Sequence, residues 1–438
     1  MQRTSGKEAA IYDAKSLGLP KILLLGLQHT FAMFGATVLV PLLTGLDVST
    51  TLLMAGLGTL LFHFVTKGKV PAFLGSSFAF LGGYAAVAPM IDGAPNTQML
   101  PYACGGVFAA GLLYLVMSGL IKAFGINRVM RFFPPVVVGP MIISIGLILA
   151  PSAINNCATN WLLALVALAV IIVCNIWGKG MIKIIPIMMG ILVSYAVALA
   201  TGAVDFSGVR ETAAQGVYGG IFALPLHSSG FAKFDLSAVL TIMPIALATM
   251  MEHIGDISAI GATTGHNYIA NPGLHRTMLG DGLATALAAM FGGPANTTYG
   301  ENTGVLVLSR VYDPLVVRIA ACFAILLSFF PCFAEIIRSI PAGIIGGVSL
   351  MLYGMISAIG VRNMVESRVD LTKSRNLIIA AVILVSALGF NGIGGITFYV
   401  SGYGITLSGL AIAAILGILL NALLPGNDYV FAPEAEEV

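Results

Sequence analysis

A succession of apolar runs of about 20 residues, each long enough to cross roughly 30 Å of hydrocarbon, constrains most of what this chain can fold into. Seven lie near residues 20–43, 49–65, 70–91, 102–121, 132–153, 160–178 and 183–202. A polar stretch from Asp205 to Asp235 separates them from seven more, near 236–257, 276–292, 294–310, 314–336, 341–360, 375–390 and 404–425. Only 9% of residues are charged, against roughly a quarter in an ordinary soluble domain, and mean hydropathy is +0.97, so a soluble fold is excluded. Backbone in hydrocarbon must satisfy its own hydrogen bonds, which makes an all-α membrane protein of 14 transmembrane segments the expectation. The polar start from Met1 to Ala14 runs directly into the first span, and no cleavable signal is expected.

Basic residues in short loops set the orientation. With residues 1–19 and the tail 426–438 in the cytoplasm, all 21 Lys and Arg except Arg210, Lys233 and Arg338 fall on that side. Dropping one span would reverse every later loop. The net charge of +2 is too small to suggest nucleic acid. The five cysteines form no CxxC pair and mostly lie in apolar runs, as small core residues do. Pro71-Ala72 opens the third run and Pro294-Ala295 the tenth, and both runs then turn polar and Gly-rich. Interrupted segments at matching places in two halves point to a transporter site at a repeat interface. Seven segments per half make the repeat inverted, a 7+7 arrangement, although Pro-Ala also recurs by chance in a chain rich in Gly and Pro.

Charge at mid-membrane costs about 2.5 to 3.5 kcal/mol, so ionisable groups inside spans are functional candidates. ALATMMEHIGDISAIG in the eighth run places Glu252 and Asp256 on one helix face, with His253 pointing elsewhere. PANTTYGENTGVLVLSR in the tenth carries Glu301 and Asn302 beside Gly300 and Gly304, and Asp281 lies in the ninth. Glu252 and Glu301 are either buried structural acids paired with a hydroxyl or backbone, or ligand groups. Ionised carboxylates only accept hydrogen bonds, so as ligand groups they suit a small planar molecule with N–H groups and suit an anion badly. Free backbone N–H groups in a Gly-broken segment serve carbonyl oxygens. A buried carboxylate can also take up a proton on one side and release it on the other. VPAFLGSSFAFLGG in the third run offers Ser76, Ser77, Phe78 and Phe80, whose rings either stack on a planar ligand or pack the core. His29 in the first run is a proton-relay member or an orienter of a neighbouring group, and Tyr353 in the twelfth is a gate residue or an interface packer.

LQHTFAMFGATVLVP, PAFLGSSFAF, MMEHIG, NPGLHRTM, NTTYGENTGV and GGVSLMLYG occur in the order seen in the nucleobase-ascorbate transporter family, also called nucleobase:cation symporter-2. Over nearly its whole length the chain resembles that family's bacterial uracil permease type. The resemblance implies a bacterial plasma (inner) membrane protein with a core domain (residues 20–121 and 236–338), a gate domain (122–204 and 339–425) and an extracytoplasmic loop (205–235). It also implies short antiparallel strands in segments 3 and 10. Glu252 and Glu301 match the base-binding positions, Phe78 the stacking aromatic with Ser77 beside it, and the Tyr299 and Gly300 backbone would face the ligand. The expected activity is import of uracil by proton symport, with Glu252, Asp256 and His29 as the proton neighbourhood and no cofactor. A homodimer is expected because a transporter that rocks one domain against another often needs its gate domain held by a partner.

Three positions depart from the uracil type. Asp256 stands where that group has histidine, Asp281 where it has asparagine, and Ser309 where it has threonine. Both aspartates resemble the xanthine branch, which keeps a xanthine or other purine symporter as the rival, whereas Glu301 is the uracil-type choice. An anion transporter of the same architecture would want a positive charge at the broken segments, and none lies there. No metal cluster or nucleophile–base arrangement suggests an enzyme.

Overall fold

A computed structural model describes residues 10–91, 94–226, 230–400 and 403–426; the start of the expected N-terminal segment (1–9) and nearly all of the expected tail (427–438) lie outside the described residues. The first half runs α1 (Leu19–Thr44), α2 (Val48–Val65), β1 (Leu74–Ser76), α3 (Leu81–Val87), α4 (Leu100–Phe124), α5 (Ile126–Met130), α6 (Pro135–Thr159), α7 (Trp161–Trp177), α8 (Met181–Ile184) and α9 (Pro186–Ala200). α10 (Ser207–Ala214) lies in the polar stretch. The second half runs α11 (Leu236–Ile242), α12 (Ala246–Thr264), α13 (Leu274–Met290), β2 (Asn296–Thr298), α14 (Gly300–Ser309), α15 (Pro314–Ser328), α16 (Pro331–Arg338), α17 (Ala342–Glu366), α18 (Ser374–Gly392), β3 (Ile396–Val400), β4 (Tyr403–Leu407) and α19 (Gly409–Leu423).

Capping chemistry sets many of the helix starts. Asp47, Asn160, Asp235, Asp313 and Ser408 each accept a backbone N–H in the first turn of the helix that follows, and Pro135, Pro186, Pro314 and Pro331 open helices where no N–H partner is needed. Gly45, at φ 81°, closes α1 in the left-handed conformation that side chains resist.

Among the described residues seven helical stretches are long and apolar enough to cross a membrane: α1, α2, α4, α6, residues Leu236–Thr264, α17 and α18. α15 and α16, bent by 89°, make an eighth if taken as one span. Segments short of that length include the interrupted third and tenth and the compact α7, α9 and α19. The protein is a multi-pass membrane protein.

The helices pack in two groups. α4 with α13, α2 with α13 and α15, and α1 with α15 form one; α6 with α17, α18 and α19, and α7 with α9 and α17 form the other. Small residues let the second group close: Gly146 of α6 sits against the Tyr353 carbonyl and Ser357 of α17, and Gly360 of α17 against the Gly139 carbonyl. The Ser357 hydroxyl donates to the Ile143 carbonyl at 3.0 Å across the same seam.

One expectation is corrected. The last apolar run, expected to be helical from residue 404, begins as a strand: β3 and β4 pair antiparallel from Ile396↔Leu407 to Val400↔Tyr403, and the helix starts only at Gly409. ITFYV and YGITL are rich in β-branched and aromatic residues, which suit a pleated ribbon, and hydropathy alone does not separate that from helix.

Candidate functional site

The third and tenth segments meet as strands. β1 and β2 pair antiparallel in the register Leu74↔Thr298, Gly75↔Thr297 and Ser76↔Asn296. Two more backbone bonds extend the ladder, from Ser77 N to the Ala295 carbonyl (2.9 Å) and from Tyr299 N to the Phe73 carbonyl (3.0 Å). A two-stranded ribbon at membrane depth leaves its outer backbone groups unpaired, and each would cost several kcal/mol in hydrocarbon. Neighbouring side chains answer many of them. Thr59 of α2 takes the Leu74 N–H at 2.9 Å, and His63 Nε2 lies 2.9 Å from the Ala72 carbonyl. Thr285 of α13 donates to the Asn296 carbonyl (2.8 Å), and the Asn296 amide donates to the Met54 carbonyl (3.1 Å). Ser76 donates to the Thr37 carbonyl at 2.9 Å, and the Tyr299 hydroxyl to the Ser76 carbonyl at 3.0 Å. Gly75 is required by this closeness, because a Cβ there would lie 2.5 Å from the Tyr299 ring.

Both strands run straight into helices. Ser77 leads into a 3₁₀ turn, Phe78–Phe80, that continues as α3, and Tyr299 leads into α14; neither start has a side-chain cap. Their first-turn N–H groups therefore gather positive potential at the ends of the ribbon. α12 passes beside the second start. Glu252 and Asp256 are half-buried one turn apart on it, and a Cβ at Gly300 would lie 3.6 Å from Asp256 Oδ1. Thr298 Oγ1 donates to Asp256 Oδ2 at 3.1 Å. The backbone of Glu301 is the second residue of α14; its side chain lies outside the described residues.

Behind the carboxylates sits a fully buried pair, His253 Nδ1 at 3.2 Å from Asp281 Oδ2, with Thr298 Oγ1 3.5 Å from the same nitrogen. His29 is also fully buried and faces Asn302, whose amide nitrogen lies 3.2 Å from His29 Nδ1 and donates to the His29 carbonyl at 3.3 Å. Phe78 meets Tyr353 of α17 edge to face, with ring centroids 5.9 Å apart and planes at 75°. A small gap adjoins Phe78 between the two helix groups, lined by Ile145, Leu149, Ile245, Leu410, Asn391 and Ser408 among others.

The profile of the permease family matches residues 20–393. The chain is 44% identical over 426 residues to the uracil permease of Bacillus caldolyticus, covering 94% of this chain and 93% of that protein. It is 40% identical over 416 residues to the uracil permease of Bacillus subtilis strain 168, covering 91% of each. This chain belongs to the nucleobase-ascorbate transporter family of permeases. The permease also shares its fold with the transmembrane domain of a cyanobacterium bicarbonate transporter, BicA, at TM-score 0.63 and 13% identity over 94% of this chain and 99% of that one.

In the permease fold Asp256, Thr298, Tyr299 and Gly300 come together around the end of β2, with Glu252 one turn before Asp256 on α12, and Phe78, Ser77 and Tyr353 gather around the end of β1. His29 sits with Asn302 on the α1 side of α14. Tyr299 turns its ring behind the ribbon, which leaves only its backbone at the helix start. Sequence reasoning did not single out Thr298, nor the partners that His253 and Asn302 find. His253 follows Glu252 by one residue and so turns about 100° away from it on a helix, a hint that it faces another helix. Nothing in the sequence says that helix is α13.

Proposed function

We propose that this permease imports uracil by proton symport as a secondary transporter of the bacterial plasma membrane. The observation that carries the reading is the meeting of two interrupted segments, both passing from strand to uncapped helix start, beside the α12 carboxylates. Uracil alternates N–H and C=O groups around its edge. Glu252 and Glu301 accept from its N–H groups, the backbone at Tyr299 and Gly300 donates to its carbonyls, and Phe78 stacks on the ring with Ser77 beside it. The Ser77 hydroxyl is buried with no hydrogen-bond partner among the described residues, as a ligand-facing donor would be. The names of the relatives from two Bacillus species add support for uracil.

Proton binding in the neighbourhood of Glu252, Asp256 and His29 favours loading. Each proton moving down a 100 mV potential contributes about 2.3 kcal/mol, roughly fifty-fold accumulation from that force alone. In this reading the chain crosses the membrane fourteen times as a 7+7 inverted repeat with both ends in the cytoplasm. The group holding α1, α2, α4 and α11–α15 is the core, and the group around α6 and α17 is the gate, with Tyr353 on its inner face. A homodimer holds the gate while the core moves.

The second reading, a xanthine or other purine permease, is favoured by Asp256 and Asp281. Likeness to an anion transporter concerns the fold, and the carboxylates of the site oppose an anionic substrate. Uptake of radiolabelled uracil into proteoliposomes with an imposed inward proton gradient tests the proposal. Gradient-dependent uptake that resists excess xanthine supports it; uptake lost to xanthine favours the second reading, and uptake indifferent to a protonophore refutes the coupling.

A further inference from the structure

α14 is only ten residues long, and an isolated helix of that length is marginal. β2 holds its start and Asn302 ties it sideways to α1. At its far end Arg310 turns left-handed (φ 52°), and the chain leaves with no continuing helix. Residues 10–17 pack against that end. Ile11 N donates to the Arg310 carbonyl at 2.9 Å and Tyr312 N donates to the Ile11 carbonyl at 2.8 Å, a parallel bridge around Val311. The Tyr12 hydroxyl donates to the carbonyl of Thr264 at 2.8 Å, in the last turn of α12, where carbonyls lack intrahelical partners; His266 Nδ1 lies 3.0 Å from the same oxygen. Its ring meets His266 and Tyr312 edge-on, with centroids 5.1 and 5.5 Å away. Ala14 N donates to Asp313 Oδ2 (2.8 Å), while Oδ1 of the same carboxylate caps α15 through Leu315 N (2.8 Å). Ala14, Ile22, Val311 and Val316 are buried together underneath.

One short segment thus grips the far ends of the two elements that carry the carboxylates, α12 with Glu252 and Asp256 and α14 with Glu301. We propose that residues 10–17 are a strap that sets the spacing between α12 and α14, with Tyr12 as its positioning residue, so that releasing the strap loosens the substrate site from about two turns away. The functional consequence rests on the transport reading above; the mechanical one does not.

The test compares the full-length wild type with Tyr12→Ala, Tyr12→Phe and Ile11→Pro, the last of which deletes the N–H bonded to Arg310. Uracil uptake gives KM and the maximal rate, and hydrogen exchange of the amides in 300–312 reports α14 directly. Expected are a KM raised about fivefold in Tyr12→Ala and Ile11→Pro with the maximal rate within about twofold, faster exchange in α14, and a smaller KM rise of about twofold in Tyr12→Phe, which keeps the ring. An unchanged KM in Tyr12→Ala overturns the positioning role whatever the exchange does. If the wild type takes up no uracil, the transport reading falls and exchange decides the strap alone: faster exchange in Tyr12→Ala sustains it, and unchanged exchange overturns it.

Discussion

The two interrupted segments share a backbone pattern and differ in the side chains at the helix starts that follow. Each gives a three-residue strand and then a helix start without a side-chain cap. After β1 come Phe78, Ala79, Phe80 and Leu81, buried and apolar, with the Ser77 hydroxyl as the polar group left over. After β2 come Gly300, Glu301, Asn302 and Thr303, and the segment is wired outward, Asn296 and Thr298 of the strand to α2 and α12, and Asn302 of α14 to α1. A repeated backbone device therefore serves a division of labour. One arm offers an apolar ring and the other offers hydrogen-bonding groups, and in the proposed function these serve the face and the edge of a planar molecule.

Variants that tell the arms apart sharpen the comparison. Glu301→Ala is expected to have the largest effect, a loss of uracil uptake of more than about a hundredfold with expression intact, since it removes a charged acceptor from the polar arm. Wild-type uptake in that variant would sink the site assignment. Thr298→Val keeps the shape of β2 and deletes the donor to Asp256. The expected cost is about 1.5 to 3 kcal/mol, read as a ten- to hundredfold fall in transport efficiency, and Thr298→Ser should recover most of it. Gly75→Ala presses a methyl against the Tyr299 ring, so a drop in stability of about 1 to 3 kcal/mol is expected in thermal unfolding of the purified protein. The smallest effect is expected on the apolar arm: Phe78→Leu should raise KM severalfold, through about 0.5 to 1.5 kcal/mol of lost ring contact, and leave the maximal rate nearly unchanged. If Phe78→Leu proved as damaging as Glu301→Ala, the division of labour would be wrong.

Much of the site was legible because its signals are local. Glu252 and Asp256 lie four residues apart in one helix, so a shared face follows from helical geometry, and both remain half-buried on α12. Gly- and Pro-rich interruptions announced the third and tenth segments, since neither tolerates a continuous lipid-facing helix. What escaped was set by partners distant in the chain. His253 meets Asp281, 28 positions on, and His29 meets Asn302 across 273 positions. The β3–β4 hairpin escaped for another reason: hydropathy measures how much a residue avoids water, and strand and helix can score alike.

By itself the sequence determined that the chain lives in a membrane, where its apolar runs lie, and which few ionisable residues those runs carry, because each of these follows from transfer energies summed over neighbouring residues. Only the tertiary structure decided that Leu74 faces Thr298, that Thr298 reaches Asp256, and that Tyr12 closes over the end of α12. Those pairings depend on which backbone groups remain unsatisfied once the helices have packed, and that is a property of the whole molecule.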